Sequence, residues 1–355
     1  MKNLEKFRNL LKEGELDGIL LTSRVSRLYC AEYDIAEGIA ILSQDKCRYF
    51  TDSRYIEAAQ NNLPDFEVEM VGRSAGYSTL LQKAIDAFGI QSLGFEEEAM
   101  TVAEFSVLDQ ALSATLVPCQ RRINRLRWVK EDWEIARMRK AQEITDRTFS
   151  GMLTKLKAGM TEKEARSELI YLLYQNGADG LAFDPIVISG PNTSMPHGVA
   201  GDRRLQPGDF ITMDFGALYQ GYCADMTRTV ALGYATEEME KVYGIVLNAQ
   251  KAAIAATKAG TPGRDIDAIA RDVIADAGYG DCFGHGYGHG VGLEIHEAPN
   301  CNTANDQPMP AGAVCSAEPG IYLPGKFGVR IEDVVIFTET GCIDITESAK
   351  QLIVL

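Results

Sequence analysis

Four histidines occur in the 355-residue chain, at positions 197, 285, 289 and 296, and the last three fall within twelve residues of one another. The segment from Phe283 to Glu297 surrounds His285 and His289 with glycine at every second position from 284 to 292. Imidazole is a common ligand for divalent metals, and glycine lets other backbone approach closely. A phosphate-cradling loop is the competing reading. It fails on context, because no strand leads into an opening helix here and no Walker lysine follows. A His-Glu-x-x-His zinc helix is also absent.

Carboxylates at regular intervals could complete a metal site. Phe210–Gly216 and Cys223–Val230 read as strands joined by the turn Tyr219-Gln220-Gly221, with Asp214 in the first and Asp225 in the second. Residues an odd number apart can sit directly opposite one another in such a hairpin, which would put these two Cβ atoms roughly 5 Å apart. Two carboxylates that close repel and raise each other's pKa, and a bound cation relieves the repulsion. The plainer alternative is that one Asp points to solvent. Against it, Asp is ordinarily depleted from β-favouring runs like these. A second pair follows the histidines. Glu318 precedes Pro319-Gly320, Glu332 interrupts the apolar run Val329–Ile336, and Pro324-Gly325-Lys326 suggests a hairpin between them. Taken alone, Glu332 fits solvent as well as a site. Arg330 shares its parity, so it would either neutralise Glu332 or hold a substrate.

These residues need a scaffold. Residues 2–13 carry Leu4, Phe7, Leu10 and Leu11 on one helical face. Short apolar runs at 18–21, 38–42, 68–71 and 92–95 read as strands, with helical stretches near 53–62, 76–88 and 101–112. Alternation of this kind predicts an α/β domain on a largely parallel sheet. Nothing before residue 120 has a catalytic pattern. The basic run Arg121–Arg127 reads as a solvated linker, and it divides the chain into domains 1–122 and 123–355. A long helix is predicted from Glu131. The chain then repeats itself. Lys157-Ala158-Gly159 opens a helix at Thr161, with Glu164 in capping-box spacing, and Lys258-Ala259-Gly260 opens another about a hundred residues on. Each helix is followed by a Phe (183 or 283) and then by a His-Gly segment, as expected of two similar halves with a site between them.

Bulk properties narrow the partners. The net charge of −15 disfavours phosphate backbones, so nucleic acid is an unsuitable partner. The sequence contains no apolar stretch of membrane-spanning length and no signal-peptide pattern, so a cytoplasmic protein is expected. The eight cysteines include no Cys-x-x-Cys pair and are expected to be reduced and mostly buried.

Taken together, Met213-Asp214-Phe215-Gly216, Ala224–Thr229, Gly288–Gly292, Glu318-Pro319-Gly320 and Arg330–Asp333 resemble the motifs of the pita-bread metallopeptidases, and within them the Xaa-Pro peptidases (prolidase and aminopeptidase P). Leu126-Arg127-x-x-Lys130 with Glu134-Ile135 extends the likeness to the start of the second domain. The resemblance implies a mixed α/β (α+β) architecture. A creatinase-type N-terminal domain would precede a pita-bread catalytic domain with an internal pseudo-twofold repeat. It implies two divalent ions per chain, Mn²⁺ first, with Co²⁺ or Zn²⁺ as alternatives. Asp214 would chelate one ion, His289 and Glu318 the other, and Asp225 and Glu332 would bridge both. It implies catalytic roles for His197, His296 and Glu318 and substrate contacts for His285 and Arg330. The expected activity is hydrolysis of the Xaa-Pro bond by a water that the two metals activate. The substrates would be dipeptides or peptide N-termini with proline second, and the enzyme a homodimer. Two alternatives stay open: a pita-bread hydrolase acting on another aminoacyl or non-peptide substrate, and a relict binding protein.

Overall fold

The computed structural model describes residues 2–73 and 75–355. The chain divides into two compact units after Leu126. The break lies a little beyond the 122/123 boundary read from composition, because the basic run is not a linker. Gln120–Leu126 is a helix, and its Ile123 is fully buried.

The first unit is built on a six-stranded sheet. Its order is Glu67–Met70, Cys47–Thr51, Ile39–Leu42, Gly18–Leu21, Ser92–Phe95, Thr115–Pro118. The expectation of a largely parallel sheet needs correcting. Three pairings are parallel, but Gly18–Leu21, Ile39–Leu42 and Cys47–Thr51 form an antiparallel meander. Cys47–Thr51 escaped the sequence reading because Arg48 interrupts an otherwise apolar run. Residues 43–46 supply a short connection that needs no crossover helix.

In the second unit a helix of 22 residues, Asp132–Leu153, is followed by one of 14, Glu162–Gln175, and then by strands. The same order recurs with Glu237–Ala256 (20 residues) and Gly263–Asp276 (14 residues). Thr161 and Glu164 form the capping box expected of them. The first repeat feeds an antiparallel sheet of Ile186–Ser189, Phe210–Phe215 and Met226–Ala231. The second feeds a five-stranded sheet in which Gly288–Gly290 lies between Glu297–Cys301 and Val314–Ala317, followed by Asp333–Phe337 and Cys342–Asp344. Gly320–Leu323 and Phe327–Arg330 form the hairpin expected around Pro324-Gly325-Lys326.

Strand alternation explains how apolar-looking strands carry acids. Side chains two apart share a face. Ile211, Met213, Phe215, Met226 and Val230 enter a core with Ile144, Leu169 and Leu173. The opposite face carries Thr212, Asp214, Thr227 and Thr229, all buried. That face is polar because it forms the floor of a site. The eight cysteines are unbridged, and six of them are buried. Among the described residues no helix is long and apolar enough to cross a membrane.

Candidate metal centre

The turn Gln220-Gly221 sets the geometry of the first acidic pair. Both residues have positive φ, as a tight two-residue hairpin turn requires. Tyr219 therefore pairs with Tyr222, and the same register puts Asp214 opposite Thr227. The expected direct opposition of Asp214 and Asp225 does not occur. The two share a face but sit diagonally, because a two-residue turn at 220–221 pairs residue 214 with 227 rather than 225. Diagonal neighbours on one face are still within reach of one another.

The glycine alternation has a packing cause. Gly288–Gly290 is a central strand rather than a loop. A side chain at 288 would run into the Ser316 carbonyl and one at 290 into the Glu297 carbonyl. Close-packed neighbours on both sides hold His289 between the two halves of the site. Glu332 lies just after Phe327–Arg330, where the chain leaves the hairpin for the larger sheet. Thr227 donates to its Oε2 at 2.6 Å.

One cavity of about 450 Å³ collects these side chains. Asp214, Asp225, His289, Glu318 and Glu332 line it together with His197, His285, His296 and Arg330. Every site residue named from the sequence thus reaches the same space. Phe183, Ile186, Pro196 and Ile295 supply apolar wall.

Three observations fit a bound cation. First, Asp225, His289 and Glu332 offer ligand atoms that all lie within 4.8 Å of one another. Second, Asp214 Oδ1 is buried with no hydrogen-bond partner, although Oδ2 accepts from Arg330 at 2.5 Å. An orphaned carboxylate oxygen is costly unless something positive meets it. Third, the His289 Nδ1–H donates to the Gly290 carbonyl at 3.1 Å, which leaves Nε2 to face Asp225 at 3.5 Å and Glu318 at 3.3 Å. Those separations are long for hydrogen bonds. They suit neighbouring ligands of one ion, which sit about 3.0–3.4 Å apart when each bond is about 2.1 Å. A backbone carbonyl that fixes the tautomer is the usual support for a metal-binding histidine.

The electrostatics point the same way. Burial, then the charges of Glu332, Asp214 and Glu318, pushes Asp225 well above the usual carboxylate range. Burial with Glu318 and Asp214 pushes Glu332 up to about 8. Burial also raises Asp214, against the pull of Arg330. Burial would likewise raise Glu318, but its contact with His289 outweighs that and holds it near about 2. Burial works against a charged His289, yet the acids around it, Glu318 foremost, raise it to about 9.

A pH signature follows for the metal-free protein. Asp214, Asp225 and Glu332 keep their protons to higher pH folded than unfolded, so folding takes up protons and stability falls as pH rises from about 5 to about 8. The contribution of His289, present below its ordinary value, is lost as pH rises from there through about 9. Glu318 acts only in acid. Chelated protein is therefore expected to melt progressively lower across this window, and a divalent cation to flatten the slope. Differential scanning calorimetry at several pH values checks this, and a chelated midpoint that is flat or rising would contradict it.

Tyr322 escaped the sequence reading. Arg330 donates to its hydroxyl at 2.9 Å, and that hydroxyl meets His285 Nε2 at 2.9 Å. With its Nδ1 on the Gly286 carbonyl, His285 completes a chain of bonds ending on Asp214 through Arg330. Burial keeps His285 below its ordinary value, hence neutral, and pushes Tyr322 up to about 12, hence protonated. The only sequence signal was a tyrosine four residues after Glu318, at a position opposite Gly328 that strand pairing alone reveals. Tyr322→Phe removes the hydroxyl that joins His285 to Arg330 and is expected to lower turnover by about 10-fold, with metal content little changed. Steady-state kinetics and metal analysis of the purified variant check it.

Comparison with known proteins matches this geometry. The model of metallopeptidase family M24 matches residues 136–339, and that of the Creatinase/Prolidase N-terminal domain matches residues 3–129. An uncharacterized peptidase of Bacillus subtilis is 41% identical over 353 residues, 99% of each chain. The structure of an Xaa-Pro dipeptidase from Bacillus anthracis superposes with a TM-score of 0.96 at 40% identity, covering 100% of this chain and 99% of that one. An X-Pro aminopeptidase from Thermotoga maritima gives a TM-score of 0.93 at 37% identity, covering 99% and 100%. These likenesses bear out the expected fold, a creatinase-type domain followed by a pita-bread domain. A cavity lined by clustered acids and histidines, in a chain matched along almost its whole length, leads to one conclusion: the protein belongs to metallopeptidase family M24.

Proposed function

We propose that the chain is a metal-dependent exopeptidase that hydrolyses the bond between a first residue and a following proline. The observation that carries this reading is one cavity lined by the five acid and imidazole side chains together with His197, His285, His296 and Arg330. The two superposed structures are named an Xaa-Pro dipeptidase and an X-Pro aminopeptidase, which supports the proline preference.

In this reading Asp214 would hold one ion, His289 and Glu318 would hold the second, and Asp225 and Glu332 would serve both. Oxygen-rich ligands with one imidazole favour Mn²⁺, with Co²⁺ or Zn²⁺ as substitutes. Divalent ions held there would supply Lewis-acid chemistry, acidifying a water and polarising a carbonyl. Glu318, whose Oε1 accepts from Ser316 at 3.2 Å, receives the water's proton and passes it to the departing nitrogen. That transfer matters for proline, whose nitrogen carries no hydrogen in the peptide. His197 and His296 face the same cavity, and an imidazole N–H there can donate to the carbonyl oxygen as it gains charge. The apolar wall of Phe183, Ile186, Pro196 and Ile295 suits a pyrrolidine ring. We also propose the cytoplasm as its compartment and a homodimer as its assembly.

The test is a panel of Ala-Pro, Gly-Pro, an Xaa-Pro-Xaa tripeptide and matched peptides without proline, assayed with and without added Mn²⁺. Turnover confined to the proline peptides and dependent on metal is expected. Equal cleavage of Ala-Ala and Ala-Pro would refute the proline preference. The ratio of dipeptide to tripeptide turnover decides between dipeptidase and aminopeptidase.

A further inference from the structure

We propose that Glu162, remote from the acidic cluster, is a positioning residue that sets the histidine at 197 for the reaction proposed above, on which this inference rests. Glu162 opens the helix Glu162–Gln175, yet that helix is already capped by Thr161 and Glu164. Its carboxylate is therefore available for another task. It is fully buried and reaches across to the segment that carries His197. Oε1 accepts from the Ser189 N–H at 2.8 Å, the Ser189 hydroxyl at 2.9 Å and the Asn192 amide at 3.0 Å. Oε2 accepts from the Gly201 N–H at 2.9 Å. One side chain thus ties together both ends of residues 189–201.

All four hydrogen-bond donors are neutral, and the Arg203 guanidinium adds a through-space attraction while itself bonding to the Ser189 hydroxyl and to Asp209. What Glu162 supplies is a fixed loop. His197 sits near the middle of the tied segment, exposed on the cavity side. The neighbouring Pro196 carbonyl accepts from Arg330 at 3.3 Å, which links the loop to Asp214. The ring's place therefore follows from backbone that Glu162 and Arg330 hold.

The second half of the unit shows the same arrangement independently. Asp267, in the helix Gly263–Asp276, is fully buried and accepts from the Tyr287 N–H at 2.8 Å. Arg271 bonds to Asp267 and donates to the Phe283 and His285 carbonyls at 2.9 and 2.8 Å. In each half, a buried acid on the 14-residue helix grips the backbone of a histidine segment.

Glu162→Gln tests the inference, because it keeps the shape and turns one acceptor into a donor facing N–H groups. A displacement of about 1 Å can cost about 10²-fold. The expected result is a fall in kcat of that order, with KM and metal content near wild type. In a His197→Ala background the same change should alter kcat by less than about twofold, since the two residues act as one unit. The chain has only four histidines, so ring ¹H–¹⁵N spectra give a readout independent of activity. Glu162→Gln should move the His197 signals and leave those of His285, His289 and His296 in place. If Glu162→Gln does not fold, Asn192→Ala removes a single donor and should shift the same signals less. Multiplicative losses in the double variant, or an unmoved His197 signal, would overturn the assignment. Absence of turnover by the wild type would instead count against the peptidase reading, while the spectra would still report whether Glu162 sets His197.

Discussion

Asp225→Asn is expected to empty the centre and to raise the stability of the metal-free protein at the same time. Asp225 is 3% exposed and faces Glu332, Asp214 and Glu318. In the proposed site it bridges both ions, so the neutral amide removes a shared negative charge. Metal catalysis contributes several kcal/mol of transition-state stabilisation. Its loss corresponds to on the order of 10³-fold or more in kcat/KM, at 1.36 kcal/mol per factor of ten. The same substitution relieves repulsion among buried carboxylates, so the chelated variant should melt above the chelated wild type, most clearly near the upper end of the pH window. Metal content per chain, Ala-Pro turnover and calorimetric midpoints check the three parts. Wild-type metal content together with wild-type turnover would exclude the proposed centre.

Asp333→Asn is expected to be the most destabilising conservative change near the site. Asp333 is fully buried and accepts from Arg228 at 2.7 Å, from Gln250 at 2.6 Å and from Lys350. Arg228 is equally buried and also donates to the carbonyls of Thr227, Glu332, Ser348 and Ala349. Removing one partner of a buried pair leaves the other charge uncompensated, at a cost of about 3–5 kcal/mol. At about 2–4 °C per kcal/mol for a unit of this size, the midpoint should fall by roughly 6–20 °C. Because Arg228 holds the backbone of Glu332 at 2.5 Å, metal affinity should fall too, by about 10–100-fold. Thermal melts and metal titration check both effects. A shift of a degree or less would overturn the prediction.

Much of the scaffold was legible before any coordinates. The capping signal at Thr161 and Glu164 and the glycine after each helix are local, and local chemistry decides where helices begin and end. The strands at 18–21 and 92–95 were equally plain as apolar runs. Cys47–Thr51 was missed because Arg48 interrupts its apolar run, and the helix Gln120–Leu126 because polar residues dominate it. Missing one strand was enough to change the sheet from mixed to largely parallel in the reading.

For the candidate site, the sequence alone determined the donor types and their order along the chain. Strand periodicity fixes parity within each strand, but Asp214 and Asp225 share a side only because the turn between them has two residues. Tertiary structure decided the rest. The register that sets Asp214 opposite Thr227 depends on two positive-φ residues at the turn. The Arg330–Asp214 bond spans 116 positions, and the Tyr322–His285 contact spans 37. Glu162 reaches its donors only because the helix and the loop pack together, 27 to 39 positions apart. Contacts at such separations leave no periodic trace, because they are made by the packing of whole elements rather than by the preferences of neighbouring residues.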